Sequence, residues 1–98
     1  MNDPMLAASN LENLLQLAKS ASTPFEKASV FSATHTIANQ FEEYANKDGY
    51  LLEKVTKARW HISAIVGYDI TNGHSLDQHI VWATGAINTL KDVIKENS

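Results

Sequence analysis

The chain has 98 residues, 44% apolar and 19% charged, a formal charge of −3 and no cysteine. One domain over residues 1–98 fits these values, since two would leave about fifty residues each, too few for most hydrophobic cores. Disulfides and cysteine metal sites are excluded, and eight basic residues against eleven acidic ones lack the positive field of a general phosphate-backbone binder.

The longest uncharged stretch, Ala28–Phe41, carries His35, Asn39 and Gln40, which makes it too polar for a bilayer. Met1-Asn2-Asp3-Pro4 lacks the basic flank of a signal peptide, and no Asn-x-Ser/Thr acceptor occurs. No membrane association and a cytoplasmic location are therefore expected.

Apolar spacing is helical nearly throughout. The first helix starts after Asn2 or Asp3, with Pro4 in its first turn, and shows a narrow stripe of Ala7, Leu11, Leu14, Leu15 and Ala18. Ser9 and Glu12 also read as a capping box, which leaves the first turn open to fraying, and this helix is expected to be the shorter one, packed across one end. After a break at Ser20–Ser22, Thr23-Pro24-Phe25-Glu26 combines a capping hydroxyl, a proline at the first position and a reciprocating carboxylate. The second helix runs through Val30, Thr34, Ile37, Ala38, Phe41 and Ala45, flanked by Phe31 and Tyr44, to a stop at Asn46-Lys47-Asp48-Gly49.

The third helix carries Leu51, Val55, Ala58, Ile62, Ile65 and Val66, widened by Leu52, Trp60, Ala64 and Tyr68. Gly67 either ends or weakens it, and Thr71-Asn72-Gly73 is the firmer stop because Asn-Gly is turn chemistry. Ser75-Leu76-Asp77-Gln78 opens the fourth helix, whose face is Leu76, Ile80, Ala83, Thr84, Ile87, Leu90, Val93 and Ile94, with Trp82 beside it. Lys91 and Lys95 suit its C-terminal dipole. The expected fold is all-α: a small antiparallel bundle of four helices, three of them about 30 Å long and the N-terminal one shorter.

Trp60, Tyr68, Val81 and Trp82 are hard to bury together in so small a core, and they mark the third and fourth helices as a surface for a partner or a second copy. Covering by the first helix is the alternative. Gly85, inside the fourth helix, costs about 1 kcal/mol against alanine and suggests close helix contact at Ala83, Gly85 and Ala86.

Candidate chemistry centres on four histidines. His74 and His79 take the positions before the cap and fourth in the helix, where staple side chains touch. They read as an aromatic staple or, with Asp77 and possible help from His61, as a weak metal or small-ligand site. His35, in mid-helix, invites comparison with histidine phosphotransfer domains. The following residues, Thr36 to Gln40, offer no cation for a phosphoryl group, so no site is carried over from them. Lys54, Lys57 and His61 share one helix side near Arg59 and Trp60, a ridge that reads as a solvated face, an acidic-partner contact or a nucleic-acid contact. Glu-x-x-His, Gly-x-Ser-x-Gly and phosphate loops are absent. The expectation is a non-enzymatic protein without cofactors, of inhibitor, immunity or adaptor type in the style of small bacterial or phage regulators. It would engage a protein partner or itself, as a homodimer or larger homo-oligomer, through Lys57, Arg59, Trp60, Tyr68 and Trp82.

Overall fold

The computed structural model describes residues 3–44 and 49–97. Four α-helices, α1 (Pro4–Ser20), α2 (Pro24–Asn39), α3 (Gly49–Ile65) and α4 (Leu76–Glu96), form a small antiparallel bundle measuring 38 × 24 × 19 Å. Among the described residues none of the helices is long and apolar enough to cross a membrane.

Helix α1 is not the short element expected across one end. It has 17 residues, as many as α3 and one more than α2. Its start is the expected one: the Asp3 carboxylate accepts from the Leu6 amide at 3.0 Å, so the helix begins at Pro4 and its first turn is held rather than frayed back to Ser9. Ala7, Ala8, Leu11, Leu14, Leu15 and Ala18 are then all buried, and Glu12 reaches Lys91 of α4 at 3.0 Å. Burial of this face, about 1.5–3 kcal/mol for each leucine, makes α1 a full member of the bundle.

Thr23 and Glu26 form the expected reciprocal box. The Glu26 amide donates to Thr23 Oγ1 at 3.1 Å and the Thr23 amide to Glu26 Oε1 at 3.0 Å. Helix α2 ends earlier than its sequence pattern. The Gln40 amide donates to the Ile37 carbonyl, and the chain tightens into a 3₁₀ helix, Gln40–Tyr44, a common helix ending that here accompanies a fully buried Phe41. Gly49 therefore opens α3 rather than closing α2. The expected stop at Asn46-Lys47-Asp48, and Ala45, lie outside the described residues. Two buried hydroxyls, Thr34 Oγ1 on α2 and Ser63 Oγ on α3, have no hydrogen-bond partner, so each carries an uncompensated desolvation cost.

Helices α3 and α4 make the most extensive pairing. The expected stripe of α3 is buried throughout. Gly67 ends this helix outright: the Gly67 amide donates to the Ala64 carbonyl at 3.1 Å and the Tyr68 amide to the Ser63 carbonyl at 2.9 Å, the paired bonds of a Schellman cap. Its φ of +86° is open to glycine and strained for other residues. On α4 the buried face is His79, Ala83, Ala86, Ile87, Leu90, Val93 and Ile94. Leu76 and Thr84, expected on that face, are exposed. The apolar arc is rotated by about one residue, which turns His79 inward.

Gly67→Ala puts a Cβ on a left-handed residue and is expected to lower stability by about 1–2 kcal/mol. Urea unfolding monitored by tryptophan fluorescence measures the change.

Candidate functional site

The connection from Val66 to Ser75 positions the chemistry. Asn72 and Gly73, with φ of 58° and 82°, occupy the centre of a tight turn in which the His74 amide donates to the Thr71 carbonyl at 3.1 Å. Ser75 Oγ then caps α4 through the Gln78 amide at 3.1 Å. The Thr71 carbonyl has a second lone pair, and His79 Nε2 lies 2.9 Å from it. On its other side His79 Nδ1 lies 2.9 Å from Nδ1 of His61, on α3.

This chain of contacts has one direction when both rings are neutral. A carbonyl only accepts, so His79 Nε2 carries the proton and donates to Thr71. His79 Nδ1 is then a bare acceptor, and His61 Nδ1–H donates to it. The proton of His61 is thereby placed on Nδ1, leaving Nε2 with a lone pair that no described group satisfies. His79 is fully buried and His61 is 6% exposed, so the bonds offset a desolvation cost of several kcal/mol.

Aromatic rings enclose the pair. Trp60 stacks at a tilt on His61, with centroids 4.4 Å apart, and donates its indole N–H to the Ile70 carbonyl at 3.1 Å. Trp82 lies 5.3 Å from His61 and meets His74 edge-on at 4.7 Å. Both indoles are only partly buried; the Val66–Ser75 connection contacts them through Ile70 and His74. Beside the pair, α3 and α4 diverge into an open groove of about 590 Å³. Trp60, His61, His74 and Trp82 line one end, Lys54 and Lys57 stand on the α3 wall, and Val81, Gly85, Ala86 and Thr89 form the α4 side. Among the described residues no acidic one lines it.

Of the expected contact residues, Lys57, Trp60 and Trp82 come together in this groove, whereas Arg59 and Tyr68 do not line it. Tyr68 instead stacks on Phe31 of α2 at 4.8 Å, and the same Phe31 meets His35 edge-on at 4.3 Å, which gives His35 a packing role. Lys57 pairs with Glu53 one turn earlier at 3.2 Å, and Lys54 lies 4.9 Å from the Tyr50 ring centre. Both contacts leave the lysines at the surface, where such pairs contribute little.

His74 and His79 do touch, edge-on with centroids 6.2 Å apart, as a staple requires. Both nitrogens of His79 are engaged in this arrangement, one by Thr71 and one by His61. Among the described residues no three His, Cys, Asp or Glu side chains are grouped to hold a metal ion. Gly85 also departs from expectation: an added Cβ would meet nothing within 4 Å, so the glycine marks open groove and not close helix contact. The His61–His79 pair was missed because the two lie 18 residues apart. The available signal was that His61, three residues after Ala58 and four before Ile65, and His79, four before Ala83, border the apolar stripes of their helices, where a buried imidazole needs a partner.

Burial holds the His61 imidazole below the usual histidine range, and the nearby His79, Lys57 and His74 add to this in that order. Above the ordinary value of 6.5 both folded and unfolded forms are neutral at this residue and its contribution is complete. As pH falls from there towards the depressed folded value, the unfolded chain takes the proton first and stability declines. Histidine resonances followed by NMR should show His61 titrating below a free imidazole, and Lys57→Ala should raise its midpoint. Comparison of the chain with protein-family models, curated proteins and solved structures finds no match.

Proposed function

We propose that the chain is a non-enzymatic, cytoplasmic interaction protein of regulatory type that engages a protein partner through the groove between α3 and α4. One observation carries this reading: two partly buried tryptophans, Trp60 and Trp82, flank an open groove whose lip residue Val81 is 62% exposed. Indoles and small apolar side chains at the rim of a concave surface are the composition of interface anchors. The buried histidines have the hydrogen bonds of a structural pair, and no nucleophile is paired with a base among them, as covalent catalysis would require.

The small-ligand reading has a specific observation in its favour as well: His61 lines the groove, and its Nε2 is engaged by no described group. A nucleic-acid reading loses ground because Arg59, the one arginine, lies outside the groove lining.

Val81→Glu adds a charge at an exposed helical position and leaves the core untouched. Capture from an extract of the source cell is expected to retain a partner with the unaltered chain and to lose at least 90% of it with this variant. Equal retention by both would place the contact elsewhere on the molecule.

A further inference from the structure

The groove is built to prefer one kind of occupant. Its α4 side is kept open by Gly85, a mid-helix glycine that costs stability without relieving any close contact. Its aromatic end offers His61, whose free Nε2 can accept a hydrogen bond but not donate one while the Thr71 carbonyl orients the chain behind it. Its other end is cationic. At 1.5 Å of helix rise per residue, Lys57 and Lys54 sit roughly 6 and 10 Å along α3 from His61, and among the described residues no carboxylate lines the space between. An extended peptide advances about 3.3 Å per residue, so those distances correspond to two or three residues.

Resting on the groove reading above, we infer that the occupant is an acidic segment of a partner protein that lays a tryptophan or tyrosine against the wall formed by Trp60, His61 and Trp82. That side chain donates its N–H or O–H to His61 Nε2, and Asp or Glu residues two or three positions away meet Lys54 and Lys57. Two features of the groove jointly select this chemistry. An aromatic donor satisfies the otherwise empty acceptor and extends a polarised hydrogen-bond chain ending at Thr71. Carboxylates complement a groove lined by Lys54 and Lys57, and the exposed Lys57–Glu53 pair exchanges partners at little cost. A basic segment meets repulsion from those lysines, and a purely aliphatic one leaves the His61 lone pair desolvated.

The test is selection from a displayed library of random twelve-residue peptides on the full chain, with the Gly85→Leu variant as counter-target. Leucine at Gly85 projects into open groove, so the variant is expected to fold, which circular dichroism checks. Enriched peptides should carry Trp or Tyr with Asp or Glu two or three residues away. Synthetic copies should bind the unaltered chain and lose at least tenfold in affinity on Gly85→Leu. Replacing the anchor by phenylalanine should also cost about tenfold, the value of one buried hydrogen bond. Lys54→Ala with Lys57→Ala should weaken binding and flatten its dependence on salt.

Enrichment of basic or non-aromatic peptides that still need an open Gly85 position overturns this partner chemistry and leaves the groove reading standing. Peptides indifferent to Gly85→Leu, or no enrichment at all, overturn it, and with retention by Val81→Glu they overturn the groove reading too. Self-association of the chain that Gly85→Leu abolishes, seen by sedimentation, makes the occupant a second copy and also overturns it.

Discussion

The hydrogen bond between His61 and His79 organises the upper half of this bundle. It ties α3 to α4 across a 2.9 Å contact, and the bond from His79 to Thr71 ties both helices to the chain that joins them. Two imidazoles placed in a small apolar core without partners would oppose folding. Placed in series against a backbone carbonyl, they become a fixed strut. The strut holds Trp60 and Trp82 apart by filling the space between them, and the groove follows from that separation. The turn at Asn72-Gly73 belongs to the same device, because its geometry aims the Thr71 carbonyl at His79.

Electrostatics and packing act together here. Burial, then the nearby His79, then the Lys57 ammonium oppose a proton on His61, which preserves its lone pair. Lys57 also stands with Lys54 at the positive end of the groove, so acceptor and cation are maintained by one arrangement.

Much of the architecture was legible in the sequence because it follows from local rules. The stripe of α1, the stripe of α3, the Thr23–Glu26 box and the Asn-Gly turn each depend on residues within a few positions of one another. What escaped depended on choices between competing local signals. Asp3 and Ser9 both offered a cap, and the burial of the whole apolar face decided for Asp3. Leu76 fits an apolar arc as well as His79 does, and only the partner His61 on another helix makes the histidine the inward residue. For the site, Trp60, Trp82 and Lys57 were legible as surface features. Their convergence was not, and Tyr68 went to Phe31 on the opposite side because Gly67 turns the chain there.

Thr34, on α2, holds a buried hydroxyl that no described group hydrogen-bonds. Its helix contributes no wall to the groove. An apolar side chain of the same shape there would remove a polar atom from the core and leave the recognition surface untouched. Resistance to denaturation and integrity of that surface are thus open to separate adjustment through different helices.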